Sequence, residues 1–422
     1  MKQKVVITGL GVVSPYGVGV PPFWSAVKKG QGAISNWQPE GVSNYPVRYA
    51  AAIAIEPLQQ QFPGYFPADY SVERRSVFGL IAAENAIADA GLTRQNAARW
   101  GVSVCSGVPE ADDQTLAALV SVNSPQAALV LLQQRHQLVN KMGGFRCGND
   151  LLATAIASQY ELEGPVLNIS GACAGATQAI GLAYKAIQRG EADLMLAGGG
   201  DSVLNIRTNS ALVSLGACST SQRFGNNLCR PFDQDRSGLV AGEGAAMLVL
   251  ESEQHAKARG ATIYAELVGY GSSLDAYKVT APHPEGTGAV AAMQAAIADA
   301  GLEPYQIGHI NAHGTSTPLN DVVESKAIEQ VFGAATSDLW ISATKSVIGH
   351  WIAAAGAPEA IATILALKEK CVPPTINLCN ADPDCRLRYA RTLTENFPHQ
   401  FALSNSFGFG GINASLIFGV YP

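Results

Sequence analysis

The feature that most constrains the fold is a strand-and-helix pattern that runs through the chain twice. In the first half, an apolar N-terminal run leads into a glycine-rich turn, and a later helix closes on Ala88-Asp-Ala-Gly91. In the second half, a strand pattern at 264–270 is followed by a helix that closes on the same letters, Ala298-Asp-Ala-Gly301. Alternating strands and helices predict an α/β architecture whose sheets are covered on both faces. We therefore predict two similar halves, 1–255 and 256–422.

Composition excludes two classes of partner. The chain has 422 residues and a net charge of −6 without a basic block, so nothing predicts nucleic-acid binding. It lacks a run of about 18 apolar residues, so we predict no membrane span. The N-terminal apolar run is β-branched and interrupted by Gly9 and Gly11, which favours a buried first strand over a signal peptide.

The cysteines are spread along the chain and form neither a C-x-x-C pair nor a cluster with zinc-ligand spacing. We therefore expect no metal site, and a reducing compartment such as the cytoplasm. The eight positions are Cys105, Cys147, Cys173, Cys218, Cys229, Cys371, Cys379 and Cys385.

Cys173 lies at a predicted strand-to-helix junction. An apolar run ends in the tight turn Ser170-Gly171, and a helix rich in small residues follows the cysteine. The first N–H groups of a helix are unpaired and partly positive, so a thiol held there is expected to have a lowered pKa. Taken alone, the pattern fits a buried structural cysteine equally well, because free cysteine is often buried.

Three further loops carry polar residues where predicted strands end. Ligands and catalytic groups gather at the carboxyl ends of strands in α/β sheets. A cysteine nucleophile with neutral histidine donors suits acyl transfer through a thioester. A backbone N–H from the last glycine-rich turn could complete an oxyanion hole with that of Cys173. Ile341–Lys345 is expected to hold the place in the second half that Cys173 holds in the first. The loops are Asn311–Asp321 with His313, Ser342–Gly356 with Lys345 and His350, and Ser404–Asn413.

In this order, the motifs resemble the β-ketoacyl-acyl-carrier-protein synthases of the I/II type, the elongating ketosynthases of the thiolase superfamily. The resemblance covers essentially the whole chain. It implies the thiolase fold, with duplicated halves in five α-β-α-β-α layers, working as a dimer. The motifs are Cys173, His313-Gly-Thr-Ser-Thr, Lys345 with Gly349-His350, Arg230-Pro-Phe-Asp, Gly242-Glu243-Gly244-Ala and Phe407-Gly-Phe-Gly-Gly-Ile-Asn.

The resemblance also implies catalytic roles. Cys173 would be the nucleophile that takes the acyl chain. His313 and His350 would hydrogen-bond the malonyl thioester oxygen during decarboxylation, each donating from Nε. Lys345 would support the site electrostatically and order a water network with Glu243.

Substrate-binding roles follow in the same way. Phe409 would be the gatekeeper, whose N–H joins that of Cys173 in the oxyanion hole. Thr315, Thr317 and Thr280 would hold a phosphopantetheine arm. The resemblance implies no metal and no further cofactor, because the substrates travel on acyl carrier protein. Ordinary structural roles stay open for Thr280 and for Glu243.

The implied reaction is decarboxylative Claisen condensation of malonyl-acyl carrier protein with an acyl chain on Cys173. One alternative is housekeeping fatty-acid elongation as a homodimer. Another is a specialised type II polyketide or polyene system, paired with a chain-length-factor-like homologue. A third is a non-catalytic partner or scaffold that retains the motifs.

Three relatives fit less well. A thiolase would carry a second cysteine within 406–411, an initiating synthase would pair histidine with asparagine, and a chain-length factor would lack Cys173. Because carrier proteins are acidic, a basic docking patch is expected, and Arg74 and Arg75 are candidates without a clear register.

Departures from the family pattern around Cys173, at Trp351 and in the loop 105–113 favour the specialised system. Gly171-Ala-Cys-Ala-Gly175 has smaller residues than usual, which predicts more room beside the thiol. Trp351 either reshapes the acyl pocket or fills vacated space. Pro358 predicts a kink or a late helix start. The loop 105–113 lacks the usual Gly-Gly pattern.

Overall fold

The computed structural model describes residues 3–39, 42, 44–66, 73–93, 97–108, 122, 124–140 and 148–422. Among these residues, none of the helices combines the length and apolar character that a bilayer crossing requires. Cys147 and most of the predicted loop 105–113 lie outside the described residues.

The elements of the first half alternate between strands and helices. Its strands are β1 (Val5–Ser14), β2 (Gly17–Val18), β3 (Ser35–Asn36), β4 (Tyr49–Ala50), β5 (Trp100–Ser106), β6 (Val166–Ile169), β7 (Leu194–Ser202) and β8 (Glu243–Ser252). Its helices are α1 (Val20–Lys29), α2 (Ile55–Gln61), α3 (Arg74–Asp89), α4 (Pro125–Asn140), α5 (Leu151–Tyr160), α6 (Gly175–Gln188), α7 (Ile206–Ser214) and α8 (Glu253–Ala258).

The second half has the same alternation. Its strands are β9 (Ala265–Leu274), β10 (Ile307–Asn311), β11 (Trp340–Ser342), β12 (Phe401–Gly408) and β13 (Ile412–Gly419). Its helices are α9 (Thr287–Ala300), α10 (Pro318–Phe332), α11 (Lys345–Ile348) and α12 (Gly356–Glu369).

Strand order shows that the second half repeats the first. The first half runs β1-β8-β7-β5-β6, and the second runs β9-β13-β12-β10-β11. In each half the first two pairings are antiparallel and the last two are parallel. The halves join where Val5–Ile7 of β1 pairs with Ala265–Leu267 of β9. The predicted α/β architecture with duplicated halves is confirmed.

The hydrophobic side chains form three main cores, which separate five layers. One core lies between the first half's strands and the outer helices α3 and α5. Another lies between the second half's strands and α9 and α10. The third surrounds α6 and α12, which contact each other between the strands of the first half and those of the second. The α-β-α-β-α arrangement follows from these three cores.

One outer helix of each half, α3 or α9, lies directly on a glycine of the central strand. A Cβ at Gly11 of β1 would lie 2.1 Å from the Ala82 carbonyl oxygen of α3. A Cβ at Gly271 of β9 would lie 2.1 Å from the Ala292 carbonyl oxygen of α9. Side chains at these two positions would separate helix from sheet, which explains the glycines that interrupt both apolar runs.

The repeated Ala-Asp-Ala-Gly ending also makes the same contact in each half. Asp89 Oδ2 accepts a hydrogen bond from Leu10 N of β1 at 2.9 Å. Asp299 Oδ2 accepts one from Tyr270 N of β9 at 3.1 Å. The aspartate therefore ties the last turn of the outer helix to the strand beneath it.

Both central helices begin after a short 3₁₀ turn. The turns are 172–174 before α6 and 352–354 before α12, and they start at positive φ, 43° at Ala172 and 41° at Ile352. The counterpart of Cys173 is therefore Ala353. The expectation that the Ile341–Lys345 segment holds that place is right for the strand, because β11 corresponds to β6, but wrong for the residue, because Lys345 opens the earlier helix α11.

Two of the unusual residues have packing explanations. Trp351 is fully buried in the central core, and its Nε1 donates to the Ile348 carbonyl oxygen at 3.0 Å. It therefore fills core space. Pro358 is the third residue of α12, which begins only at Gly356, so its missing N–H falls among those that have no intrahelical acceptor.

The expected extra room beside the thiol is wrong on one side of the turn. A Cβ at Gly175 would lie 2.2 Å from Sγ of Cys105, which projects from β5. The space that a larger residue at 175 would need is thus occupied by the Cys105 side chain. The loop after Cys105 continues into 109–121, outside the described residues.

This close contact predicts a coupled pair of substitutions. We expect Gly175→Ala to lower the free energy of unfolding by about 1–3 kcal/mol through overpacking, and Cys105→Ala in the same chain to recover most of that loss. Chemical denaturation of the single and double variants measures the coupling. Gly64→Ala is the control, since a Cβ at Gly64 meets no atom within 4 Å. Strictly additive effects of the two substitutions would contradict the contact.

Candidate active site

Cys173 lies in the 3₁₀ turn between β6 and α6 and is 3% exposed. The turn is held in an unfavourable conformation, because its first residue, Ala172, has a positive φ. Gly408, at the end of β12, passes so close that a Cβ there would lie 3.0 Å from the Cys173 backbone nitrogen. The strand end thus shapes the space around the turn.

Two predicted histidines meet this cysteine. His313 follows β10, His350 follows α11, and both are 1% exposed. The Cys173 Sγ and one nitrogen of each ring lie within 4.8 Å of one another. The two rings are nearly perpendicular, with centroids 5.4 Å apart. Loops from separate segments therefore bring three of the predicted residues together.

Hydrogen bonds fix the tautomer of His313. Lys345 Nζ lies 3.1 Å from His313 Nδ1, donates to the His313 carbonyl oxygen at 2.7 Å and pairs with the Glu359 carboxylate. An ammonium group can only donate, so Nδ1 must be the accepting nitrogen. The proton of the neutral ring is therefore on Nε2.

His350 reaches the same tautomer by a different route. Its Nδ1 accepts a hydrogen bond from the Ile352 backbone N–H at 3.0 Å. The proton of the neutral ring is therefore again on Nε2. Both histidines can donate a hydrogen bond to a single oxygen between them.

Burial keeps both rings neutral. It is the largest cause that holds the pKa of His313 and of His350 well below the usual range, and the positive charge of Lys345 adds to it. Each imidazole therefore carries one proton near neutral pH, and that proton is available for donation.

The thiol departs from the expected direction. Burial raises the pKa of Cys173 to about 11, and the Lys345 charge and the N–H groups of Phe409 and Cys173 only partly oppose it. The lowered pKa expected from the helix start is therefore wrong for the free protein, because desolvation outweighs it. The two N–H groups nevertheless lie together beside Sγ, next to the carbon at which the oxyanion of an acyl group on this thiol would form.

The Cys173 Sγ and the two imidazole nitrogens are close enough to one another for a metal ion to bridge them. A metal ligand must be unprotonated, however, and here the Nδ1 bonds place the proton on each Nε2. The ammonium of Lys345 beside His313 also disfavours a cation. The arrangement is therefore suited to hydrogen-bond donation.

A cavity of about 400 Å³ opens onto this cluster. Leu215, Val279 and Leu319 lie on its wall and are more than half exposed. Thr315 Oγ1 lies 2.8 Å from Thr317 Oγ1. Seven predicted site residues line the cavity: Cys173, His313, His350, Phe409, Thr280, Thr315 and Thr317.

Glu243 lies elsewhere. Its carboxylate accepts hydrogen bonds from Ser202 Oγ at 2.7 Å and from Ile53 N at 2.9 Å, and it pairs with Arg74. The resemblance implied a water network that joins Lys345 to Glu243; the carboxylate that binds the ammonium directly belongs to Glu359.

The sequence contained one signal for Glu359. The residue lies in the small-residue run Ala355-Gly-Ala-Pro-Glu-Ala, which is typical of a helix packed in the core. Glu359 itself is fully buried there. An acid in such a run requires a buried partner.

Of the two candidates for carrier docking, Arg75 is inaccessible, whereas Arg74 is 32% exposed. Arg74 pairs with Glu243, and Arg75 is fully buried against the Gly107 carbonyl oxygen and Glu73.

Sequence reasoning also missed the groups that support the cavity. Glu324 of α10 accepts hydrogen bonds from His313 N and Gly314 N, both at 2.8 Å, and burial raises its pKa to about 7. At the cavity wall, Asn413 Nδ2 donates to Asp275 Oδ1 at 2.8 Å. No residue pattern distinguishes these polar groups from surface ones.

A buried cysteine beside two N–H-donating histidines, on a duplicated five-layer α/β fold, defines a thiolase-fold acyltransferase. Residues 2–256 match the family model for the β-ketoacyl synthase N-terminal domain, and residues 264–379 match that for its C-terminal domain. The chain belongs to the β-ketoacyl synthase family.

Individual relatives align over the full length. The 3-oxoacyl-[acyl-carrier-protein] synthase 2 of Vibrio cholerae is 37% identical, with 99% of both chains covered. Two solved structures cover 100% of both chains. One is AntDE:AntF, a type II PKS acyl-carrier protein with its ketosynthase bound to the hexaketide (TM-score 0.87, 32% identity). The other is the ishigamide ketosynthase/chain length factor (TM-score 0.86, 33% identity).

The effect of the Lys345 charge on the reactivity of the Cys173 thiol can be measured. The substitution Lys345→Met removes a charge that lowers the pKa of Cys173, and Glu359→Gln prevents an unpaired buried carboxylate. We expect alkylation of Cys173 by iodoacetamide to require higher pH in K345M/E359Q, with about tenfold slower reaction for each unit of pKa increase. E359Q alone is the control. Mass spectrometry follows the alkylation. The same pH profile for K345M/E359Q and for E359Q would exclude this role of Lys345.

Proposed function

We propose that this chain is an elongating ketosynthase, which condenses malonyl-acyl carrier protein with an acyl chain held on Cys173. One observation carries the proposal: the Cys173 thiol and two imidazoles that both donate from Nε2 lie within 4.8 Å of one another. That set of groups suits a reaction in which the thiol holds an acyl group and the two imidazoles hold the oxygen of an enolate, so that the enolate carbon can reach the acyl carbon.

The first step transfers the acyl chain. Sγ of Cys173 attacks the thioester carbon of the acyl carrier protein, and the oxyanion accepts hydrogen bonds from the N–H groups of Cys173 and Phe409. The carbon–sulfur bond to the phosphopantetheine arm then breaks. The proton of the Cys173 thiol leaves with the released carrier thiol, so protons balance.

The second step makes the new carbon–carbon bond. The bond from malonyl carbon to its carboxylate breaks and releases CO₂, and the electron pair moves onto the thioester oxygen as an enolate. His313 and His350 stabilise that oxygen by donating from Nε2. The enolate carbon attacks the acyl group, the bond to Cys173 breaks, and the thiolate takes up one proton from the medium.

The remaining predicted residues bind or support. Thr280, Thr315 and Thr317 are proposed to hold the phosphopantetheine arm, because all three line the cavity that leads to Cys173. Lys345 keeps His313 in its donating tautomer. We propose neither a metal nor a cofactor beyond that arm. Location in a reducing cytoplasm is consistent with free thiols at all seven described cysteines.

The proposed partners are an acyl carrier protein and a second thiolase-fold chain. Supporting a second chain, β6 lies at the edge of the sheet and its Val166 is 44% exposed, and unpaired edge strands favour association. The ishigamide structure, which contains a ketosynthase and a chain length factor, supports a heterodimer in a specialised type II pathway. The name of the Vibrio relative supports fatty-acid elongation as a homodimer instead.

Partial reactions with acyl and malonyl carrier proteins test the mechanism. We expect wild-type protein to form an acyl adduct on Cys173, seen by mass spectrometry, and to release CO₂ and β-ketoacyl product. Cys173→Ala should form neither adduct nor product. His350→Ala should keep the adduct but lose decarboxylation by about 10²–10³-fold, since one of the oxyanion donors is removed.

Two results would contradict this scheme. Condensation by C173A would show that Cys173 is not the nucleophile. A wild-type protein that takes no acyl group from any carrier protein supplied would favour the non-catalytic partner.

Association is tested separately. The chain is purified alone and after co-expression with a homologue that lacks the cysteine, and each mass is measured by light scattering. We expect a mass of two chains, with the homologue bound one to one in the specialised pathway. A homodimer that extends saturated acyl chains without the homologue would favour fatty-acid elongation.

A further inference from the structure

Asp201 is a buried carboxylate that the proposed mechanism does not use. It lies next to the last residue of β7 and is 1% exposed. Its Oδ1 accepts a hydrogen bond from Ser202 N at 2.9 Å, and its Oδ2 accepts one from Ala353 N at 2.8 Å. The second bond crosses from the first half of the chain to the turn that follows His350.

That turn contains a conformation which needs support. Ile352 has φ 41°, in the left-handed region that β-branched residues avoid. The N–H of this same residue donates to His350 Nδ1 and so decides which nitrogen of the ring carries the proton. The bond from Ala353 to Asp201 holds the very next peptide group.

The other half of the fold shows what this position looks like without the carboxylate. Ala353 is the counterpart of Cys173, and β12 is the counterpart of β7 in the repeated strand order. Near the corresponding end of β12 stands Gly408, beside the Cys173 nitrogen, without a side chain to accept its hydrogen. In the 172–174 turn the Cys173 N–H stays available for the reaction. In the 352–354 turn the Ala353 N–H is bound by Asp201.

We propose that Asp201 is a positioning residue, whose carboxylate fixes the 352–354 turn and thereby keeps His350 as the Nε2–H donor. The inference rests on the proposed function, because it assigns the support of a group in that mechanism. Asp201 touches neither substrate nor reacting atoms. Burial raises the pKa of Asp201 to about 6, with Arg75 and the two N–H groups opposing it, so the charged form prevails near pH 7.

Asp201→Asn is the direct test. The amide places a donating NH₂ where one carboxylate oxygen stands, and that group cannot accept a hydrogen bond from a backbone N–H. The charge of Asp201 also contributes to the raised pKa of Cys173, so its removal should not slow the thiol. We expect acylation of Cys173 to be at least as fast as in wild type and malonyl decarboxylation to fall by about 10–100-fold, as for a misplaced catalytic group. Asp201→Ser, which also retains one acceptor and adds no amide donor, should show the same division if D201N folds poorly.

Glu251→Gln is the matched control. Glu251 is an equally buried carboxylate near the end of β8, where it binds Arg259 and His255. Its substitution disturbs a buried ion pair of similar kind outside the turn. We expect it to affect the two partial reactions in the same proportion.

A spectroscopic readout separates positioning from general destabilisation. The chain has seven histidines, so selective ¹⁵N-histidine labelling gives a simple spectrum, in which His350 is assigned by its absence from H350Q. We expect His350 in wild type to carry its proton on Nε2 and D201N to show mixed tautomers. Ile352→Gly should restore part of the decarboxylation lost in D201N, because glycine adopts positive φ without strain.

The outcomes are distinct from failure of the proposed function. Equal losses of acylation and decarboxylation in the Asp201 variants, or an unchanged His350 tautomer, would overturn the role of Asp201. A wild-type protein without an acyl adduct, or H350A without a loss of decarboxylation, would overturn the mechanism itself.

Discussion

The active site depends on one buried ammonium group. Lys345 is 1% exposed and is bound by the Glu359 carboxylate, the His313 carbonyl oxygen and His313 Nδ1. An ion pair at such depth is tolerated only when both partners are present and well bonded. Through these bonds a single charge fixes the loop after β10, the start of α11 and the first turn of α12. It also sets the proton position of one histidine and partly opposes the rise that burial causes in the pKa of Cys173.

Much of the fold and the reacting groups could be predicted from the sequence. The Ala-Asp-Ala-Gly endings repeat because their aspartates make the same contact with β1 and β9. Cys173, His313 and His350 were predictable because each follows a strand or short helix at the same edge of the sheets. At these positions the local sequence pattern and the reactive type of side chain point to the same site, and the structure brings the three residues together.

Partners that meet only through packing could not be predicted. Glu359 and Glu243 are both acids in small-residue surroundings, and only the approach of α12 to β10 decides which one binds Lys345. The sign of the Cys173 pKa change also depends on depth, because desolvation outweighs the local effect of the turn. Cys105 fills the space behind Gly175 from a strand that is about 70 residues distant in the sequence.

The contacts of α3 and α9 with glycines of β1 and β9 have a consequence for how the protein can change. Backbone rests on backbone there, so a residue with a side chain at position 11 or 271 would push a whole helix off its sheet. The helices α3 and α9 therefore cannot move closer to or away from their strands without loss of these contacts. Accommodation of a larger acyl chain, or an inserted segment that widens substrate choice, must therefore come from the loops on the opposite, cavity-facing side.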